Sequence, residues 1–175
     1  EAAERELCQQ FAVASLAGMA QVVISGAASG IGAATAQRFA AEGATLALCD
    51  LREEPLGDFA ETLGLGVDRL ELAAFDVADS EALEAFVNHA ASRFGRLDVL
   101  VNNAGIGAFG HADEVRPKLW RKVMAVNVDA VFFAVRAALP HLRKTGGCVV
   151  NTASISALFG DPGLLAYNTS KAAVI

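Results

Sequence analysis

The sequence predicts an α/β protein in which a doubly wound parallel sheet lies between two layers of helices. Two observations support this fold class. Strand-like and helix-like segments alternate from residue 21 to the end of the 175-residue chain. The strand-like segments are rich in Val, Leu and Ala without polar alternation, which is typical of strands that helices cover on both faces. Alternation at this spacing predicts a doubly wound parallel sheet.

The first β-α-β unit has the usual size of about thirty residues. QVVIS (21–25) is predicted as a buried strand, and ATLALCD (44–50) as a second strand. Between them, GIGAATAQRFAAEG (30–43) is predicted as an alanine-rich helix that ends at Gly43.

The later elements continue the alternation. They are a polar helix (56–63), a strand (69–76), a helix (79–95), a strand (97–105), a long helix (117–142), a strand (147–154) and a last helix from about Leu164. Asp79 or Ser80 is expected to cap the helix that Gly95 closes.

The N-terminal segment is predicted to be a short extension. Residues 1 to about 17 have helical apolar spacing, and Gly18 ends the pattern. The acidic lead EAAERE does not resemble the basic start of a signal peptide, and the apolar-leaning run 11–24 is too short to span a bilayer. We therefore assign residues 1–19 to a helical extension and residues 20–175 to one domain, and expect no targeting or membrane segment.

The net charge argues against two classes of partner. At −6, with a pI near 5.0, the chain offers no general attraction for nucleic acid or an anionic membrane surface.

Cys8, Cys49 and Cys148 lie far apart without a C-x-x-C, and the histidines do not cluster with acids at metal-ligand spacing. We expect no metal site, and a cytoplasmic protein with reduced thiols.

A glycine-rich turn follows the first strand. SGAASGIG places Gly26, Gly30 and Gly32 in a G-x-x-x-G-x-G pattern. Such a turn allows close approach of the backbone to a phosphate and points helix N-terminal N–H groups at the anion. The second strand then ends in Asp50, which is placed to accept hydrogen bonds from a ribose 2′-hydroxyl and to repel a 2′-phosphate. The unit predicts a dinucleotide site that prefers NAD to NADP.

A second glycine cluster fails the same test. GIGAFG, with Gly105, Gly107 and Gly110, matches G-x-G-x-x-G literally. It is followed by Asp113 and Glu114 where a pyrophosphate would lie, and by a helix without a second strand that ends in an acid. We interpret it as a loop beside the site.

These motifs resemble those of the short-chain dehydrogenase/reductase family. The family's T-G-x-x-x-G-x-G corresponds to SGAASGIG, with Ser25 in place of the threonine, and its N-N-A-G to residues 102–105. Its Y-x-x-x-K corresponds to Tyr167 and Lys171. The resemblance covers nearly the whole chain from Gln21 onward and implies a Rossmann-type, three-layer α/β/α fold.

The resemblance also implies a cofactor, a substrate class and an assembly. It implies NAD, a small-molecule alcohol or ketone, and a homodimer or homotetramer formed through the helices that carry Asn127 and Tyr167. Its catalytic residues correspond to Asn127, Ser154, Tyr167 and Lys171. The cofactor-binding residues are expected to be Gly26, Ser29, Gly30, Ile31, Gly32, Asp50, Leu51, Asp76, Val77, Asn103, Ala104, Gly105, Tyr167 and Lys171. Asn102 with Ala104 is expected on the adenosine side.

The residue types suit hydride transfer between an alcohol and a nicotinamide. Oxidation of a secondary alcohol needs a base for the hydroxyl proton, and the reverse reaction needs the same group as an acid. A free phenol, with a pKa of about 10, is a scarce base at neutral pH. Lys171, one helical turn after Tyr167, supplies a charge that favours the phenolate. Ser154 would hydrogen-bond the substrate oxygen, and the resemblance gives Asn127 a water-linked proton relay and Lys171 a contact with the nicotinamide ribose.

Two alternatives to an alcohol dehydrogenase remain open. Family members continue past the lysine with two further strands and a substrate-covering loop, so a protein ending at Ile175 would be a non-catalytic dinucleotide-binding or interaction protein. Epimerisation of a sugar nucleotide, in the related extended family, is less favoured because its glycine spacing differs. We expect the chain to be a fragment of a longer enzyme, since a sheet cut after five or six strands leaves an exposed edge.

Phe109, Leu158 and Phe159 suggest that the substrate has an apolar body.

Overall fold

The computed structural model describes residues 20–175. The predicted N-terminal helix over residues 1 to about 17 lies outside the described residues. Within the described part, five parallel strands form one sheet in the order β3-β2-β1-β4-β5. The strands are β1 (Gln21–Ser25), β2 (Thr45–Asp50), β3 (Leu70–Ala74), β4 (Val99–Asn102) and β5 (Cys148–Asn151).

The strand order confirms the doubly wound sheet. The chain runs outward from β1 to β3 and then returns to place β4 on the other side of β1. The strand order therefore reverses between β1 and β4. In open α/β sheets, ligands bind outside the carboxyl ends of the strands at such a switch point, and the glycine-rich turn after Ser25 lies there.

Helices connect successive strands, and two further helices follow β5. They are α1 (Gly30–Ala41), α2 (Glu53–Thr62), α3 (Ser80–Arg93), α4 (Pro117–Met124), α5 (Ala130–Thr145), α6 (Ser156–Phe159) and α7 (Leu165–Ala172). Asp79 caps α3, because its side chain accepts hydrogen bonds from the N–H groups of Glu81 and Ala82 at 3.1 Å each.

The core confirms three layers, because alternate residues of each strand face opposite sides. Val22 and Ile24 belong to an apolar cluster that includes residues of α1 and α2, whereas Val23 belongs to a cluster with α3 and α5. The central strands β1, β2 and β4 are buried. The edge strand β5 is largely exposed, although its sequence is as apolar as that of a covered strand.

Three elements differ from the sequence prediction. The predicted long helix is interrupted by a π-helical segment, Ala125–Asp129, between α4 and α5. The short helix α6 was not predicted, because four residues are too few for a periodic pattern to be detected. Strand β3 ends at Ala74, so Asp76 lies in the loop that follows it.

The combined helix Pro117–Thr145 is long and apolar enough to cross a membrane by length and composition. Core helices pass the same test. Here α5 packs against α3 and β4, and its buried alanines contribute to the core. Packing within the domain therefore accounts for the apolar residues on the buried face of this helix.

Candidate functional site

The glycine-rich turn is tightly packed against the segment that follows β4. Gly26 and Gly30 have φ angles of 65° and 55°, which side chains rarely adopt. The Ser25 hydroxyl accepts hydrogen bonds from the N–H groups of Asn103 and Ala104 at 3.2 and 3.1 Å. The Asn103 amide donates to the Gly26 carbonyl at 3.0 Å. The Ser25 hydroxyl thus ties the turn to the segment that follows β4.

Asp50 lies at the end of β2 with its carboxylate directed at this turn. One oxygen accepts from Ala28 N at 3.0 Å, and the other from Arg52 N at 3.3 Å. The residue is 9% exposed. Carboxylate oxygens have about four lone-pair sites, so two backbone contacts orient the group and leave acceptor capacity free.

A cleft of about 390 Å³ opens beside Asp50 at the carboxyl ends of the strands. Nine of the predicted cofactor residues line it: Gly26, Ser29, Asp50, Leu51, Asp76, Val77, Asn103, Ala104 and Gly105. The structure therefore brings together residues from the ends of four strands, β1 to β4. This location is the one that the strand order predicts for a ligand.

Other predicted cofactor residues lie outside the cleft lining. Gly30, Ile31 and Gly32 form the first turn of α1, where the Ile31 side chain is 66% exposed. Tyr167 and Lys171 lie on α7. Their role toward a cofactor stays a prediction.

The cleft also has walls that the sequence did not indicate. These residues are Arg52, Phe75, Ile106, Lys122 and Val126. Arg52 and Phe75 directly follow or precede predicted site residues, so proximity in the sequence could have suggested them. Lys122 and Val126 reach the cleft from α4 and the π-helical segment, and no local pattern marks them.

Asn102, which was expected on the adenosine side, does not line the cleft. Its side chain is buried and donates to Asn151 Oδ1 on β5 at 2.9 Å. The reason is strand alternation, which points Asn102 and its neighbour Asn103 in different directions. Asn103 takes the place in the cleft.

Lys171 is buried beside Tyr167. Its ammonium donates to the Thr152 carbonyl at 2.5 Å and lies 6.0 Å from the centroid of the Tyr167 ring. Burial lowers the pKa of Lys171, because removal from water disfavours the charged form. The tyrosine is half-buried on the same helix. The predicted spacing therefore does place both side chains together.

Asn127 lies in the π-helical segment and is held by three hydrogen bonds. Its Oδ1 accepts from Ile106 N at 2.8 Å, while Nδ2 donates to Ile106 O at 3.0 Å and to Ser170 Oγ at 2.9 Å. A Cβ placed on Gly105 would lie 3.4 Å from both Asn127 Oδ1 and Lys171 Nζ. Gly105 thus fits between two of the predicted catalytic side chains.

Ser154 lies between β5 and α6 and is half-buried. Its hydroxyl oxygen accepts from Ser156 N at 3.2 Å, which leaves its proton free to donate. Lys171 contacts Thr152, two residues before Ser154 on the same segment. The four predicted catalytic residues therefore lie on segments that contact one another.

Two loops, one before α4 and one before α7, contact each other. Gly110 N donates to Gly163 O at 2.7 Å, and Gly110 pairs with Leu164 in an isolated bridge. The same loops and their flanks carry large exposed apolar side chains, namely Phe109, Ile155, Leu158, Phe159 and Leu165.

The cysteine and histidine side chains described next lie outside the proposed catalytic residues. Among residues 20–175, no group of three or more His, Cys, Asp or Glu side chains could hold a metal ion. Cys49 is fully buried next to Asp50, and burial together with that charge raises the pKa of its thiol. His141 contacts Asn88 at 2.9 Å.

The chain matches the family model described as short chain dehydrogenase over residues 20–175. It is 45% identical over 154 residues to the meso-2,3-butanediol dehydrogenase of Serratia marcescens, covering 88% of this chain and 61% of that protein. It is 38% identical over 156 residues to 3beta-hydroxysteroid dehydrogenase 2 of Eggerthella lenta, covering 87% of this chain and 60% of that one. The chain thus spans about three fifths of the length of these relatives.

Solved structures agree with the fold. A short chain dehydrogenase/reductase from Burkholderia phymatum in complex with NAD superposes with a TM-score of 0.85 at 34% identity, covering 90% of this chain and 57% of that one. The carveol dehydrogenase of Mycobacterium avium, also in complex with NAD, gives a TM-score of 0.80 at 31% identity, covering 89% and 61%. With the family model matched over the whole described domain, the chain belongs to the short chain dehydrogenase family.

Proposed function

We propose that this chain carries the cofactor site and the catalytic residues of an NAD(H)-dependent oxidoreductase, which transfers hydride between the nicotinamide and a secondary alcohol or ketone. Tyr167 is the acid and base of this reaction. The observation that carries the proposal is the buried Lys171 ammonium, which lies 6.0 Å from the centroid of the Tyr167 ring and next to Gly105, a residue of the cleft lining. Among residues 20–175, the hydrogen-bond partner of this cation is the neutral carbonyl of Thr152, and the charge lies beside the Tyr167 phenol, whose ionised form it can stabilise.

The cleft residues fit a dinucleotide. A Cβ on Gly32 would lie 2.1 Å from Gly26 O, and one on Gly26 would lie 2.8 Å from the Ala104 Cα, so the turn leaves its backbone bare at the helix N-terminus. Asp50 presents an oriented carboxylate to a ribose hydroxyl. Two solved relatives were crystallised with NAD and another with NADH. These features support NAD as the cofactor of this chain.

The bound nicotinamide would supply the hydride or accept it. Tyr167 moves the proton at the substrate oxygen, giving it in ketone reduction and taking it in alcohol oxidation. Lys171 stabilises the phenolate form by its charge. Its position next to Gly105 also suits a contact with the nicotinamide ribose.

Ser154 and Asn127 complete the proposed site. The Ser154 proton is free to donate to the substrate oxygen and to steady the charge that develops there. Asn127 holds the segment at Ile106 next to Lys171, where a water-linked proton relay would begin. Ser154 thus acts on the substrate oxygen that Tyr167 serves, whereas Asn127 acts through the segment next to Lys171.

The substrate, the assembly and the location follow as parts of the same proposal. The exposed apolar side chains of the two joined loops suit a substrate with an apolar body. The exposed Phe132 on α5, stacked by Arg136, suits the contact of a homodimer or homotetramer. A cytoplasmic location accords with the unpaired thiols of Cys49 and Cys148.

The test measures hydride transfer and cofactor binding separately. The protein is mixed with NAD and a panel of secondary alcohols, and with NADH and the matching ketones, while the absorbance of reduced nicotinamide is followed. Tyr167→Phe should lower kcat by at least about 100-fold with little change in NAD affinity. Thr169→Ala, an exposed position on the same helix, is the matched control and should keep kcat.

Two outcomes would contradict the proposal. NAD binding without turnover on the whole panel would favour a non-catalytic dinucleotide-binding protein. Turnover that survives Tyr167→Phe would remove the tyrosine from its role as acid and base.

A further inference from the structure

Ser170 is a fully buried hydroxyl between two of the proposed catalytic segments. It immediately precedes Lys171 on α7 and has a relative exposure of 0%. Its oxygen accepts from Asn127 Nδ2 at 2.9 Å, and its proton is donated to the Tyr167 carbonyl at 2.8 Å. One small side chain thus links the π-helical segment to the helix that carries the tyrosine.

The direction of these bonds orients the Asn127 amide. A hydroxyl has one proton, and that of Ser170 is already used on the Tyr167 carbonyl. Ser170 can therefore only accept from Asn127, which selects Nδ2 for that side. The two bonds to Ile106 require the same orientation, with Oδ1 on the N–H and Nδ2 on the carbonyl. All three hydrogen bonds of the Asn127 side chain therefore require the same orientation of its amide.

The orientation matters because of what lies next to Asn127. Its Oδ1 is directed to the backbone at Ile106, and the site of a Cβ on Gly105 is 3.4 Å from this oxygen and from Lys171 Nζ. Loss of the Ser170 acceptor would leave one Nδ2 proton unpaired in a buried site. Only the two bonds to Ile106 would then hold the amide, and the link from Asn127 to the helix that carries Tyr167 would be lost.

We infer that Ser170 is a positioning residue, which couples Asn127 to the Tyr167 helix and so holds the geometry of the catalytic residues. This inference rests on the proposed function. Ser170 is too deeply buried to touch a substrate or a cofactor, so its effect is exerted through Asn127.

A simpler explanation is that the Ser170 hydroxyl only forms a hydrogen bond with a backbone carbonyl of its own helix. Side chains of Ser and Thr often bond back to a carbonyl one turn earlier. Thr169 on the same helix makes such a bond to Leu165 O at 2.8 Å, and it is exposed. Thr169→Ala therefore removes the same kind of bond without the link to Asn127, and it serves as the matched control.

The first experiment compares Ser170→Ala and Thr169→Ala in the active protein. We expect kcat to fall about tenfold in Ser170→Ala, the scale of one lost hydrogen bond that matters in the transition state. The affinity for NAD should change by less than about twofold, since no cleft residue is altered. Thr169→Ala should retain both values.

A double-mutant cycle separates coupling from simple damage. In the background of Asn127→Ala, the further change Ser170→Ala should have little effect on kcat, because the partner is already gone. Multiplicative losses in the double variant would overturn the inference, as would an unchanged kcat in Ser170→Ala alone.

A readout without turnover distinguishes this inference from the proposed function. In protein labelled with ¹⁵N at asparagine, the exchange of the Asn127 side-chain amide protons with solvent should accelerate at least about tenfold in Ser170→Ala and not in Thr169→Ala. Unchanged exchange in an active protein would overturn the inference alone. A wild-type protein that transfers no hydride would overturn the proposed function, and with it the catalytic part of the inference.

Discussion

Gly32 lies so close to Gly26 that a Cβ on Gly32 would stand 2.1 Å from the Gly26 carbonyl oxygen. The same Cβ would lie 2.6 Å from Asn103 Nδ2, the amide that holds the turn. No rotamer change removes a contact with a backbone oxygen, so the turn itself must move when position 32 carries a side chain. The close approach of β1, α1 and the segment after β4 therefore depends on this glycine.

Gly32→Ala should weaken both folding and cofactor binding. We expect the free energy of unfolding to fall by about 2–3 kcal/mol, the cost of overpacking against unyielding atoms. The affinity for NAD should fall at least about tenfold, because the displaced turn no longer presents its N–H groups. Urea unfolding and calorimetry measure the two effects.

Gly57→Ala is the control for Gly32→Ala. Gly57 lies in α2 with no atom within 4 Å of its Cβ position. There the change should raise stability by about 0.5–1 kcal/mol, the usual gain of alanine over glycine in a helix. Equal losses at both positions would contradict the steric explanation.

Asp50→Asn should reduce the preference for NAD over NADP. The variant removes the negative charge that would repel a 2′-phosphate, while a side-chain oxygen remains to accept from Ala28 N. We expect NAD binding to weaken about tenfold and the ratio of the two affinities to narrow by a similar factor. Titration with both dinucleotides measures this.

Asp58→Asn is the control for Asp50→Asn. It removes the same charge from an exposed position on α2, outside the cleft lining. An affinity ratio that is unchanged in Asp50→Asn, or changed equally in the control, would exclude Asp50 as the discriminating residue.

Lys171 should make stability rise with pH in the alkaline range. Burial lowers the pKa of Lys171 below its ordinary 10.5, so the folded protein loses this proton before the unfolded chain does. Between the folded pKa and 10.5 the unfolded state binds more protons, and the free energy of unfolding therefore increases with pH. The cost of burying the charge is fully present below the folded pKa and is relieved above it.

The measurement compares wild type with Lys171→Met from about pH 7 to about pH 10 by urea unfolding. The stability of wild type relative to the variant should increase over this range. Lys118→Met, at an exposed position on α4, should give a flat difference. A falling difference for Lys171→Met would show that the folded state raises this pKa instead.

Gln21→Met should stabilise the protein. Gln21 opens β1 at 1% exposure, and neither its Nε2 nor its Oε1 has a hydrogen-bond partner among the residues that the structure describes. An unpaired buried amide is costly, and methionine has a similar length without the polar atoms. We expect the free energy of unfolding to rise by about 1–2 kcal/mol.

Thermal and urea unfolding test the change, with Gln37→Met as control. Gln37 is exposed on α1, where the same substitution should leave stability within about 0.5 kcal/mol. A destabilised Gln21→Met would mean that the amide of Gln21 is paired.

The sequence alone determined the sheet and most of the cleft. Apolar runs without alternation indicated buried parallel strands, and the pattern from Gly26 to Gly32 with Asp50 at the next strand end marked the carboxyl edge where the cleft opens. These features are readable because backbone demands at a turn and the burial of a strand act on neighbours along the chain. The spacing of Tyr167 and Lys171 is local in the same sense, since one helical turn brings them together.

Only the tertiary structure decided which side chains face the site. The π-helical segment that carries Asn127, the cleft wall at Lys122 and the buried link through Ser170 each join segments far apart in the chain. Asn102 and Asn103 are adjacent and identical, yet only Asn103 reaches the cleft. The reason is that successive side chains along a strand point to opposite faces. A linear pattern records what each residue can do, whereas the packing of distant elements selects the partner with which it does so.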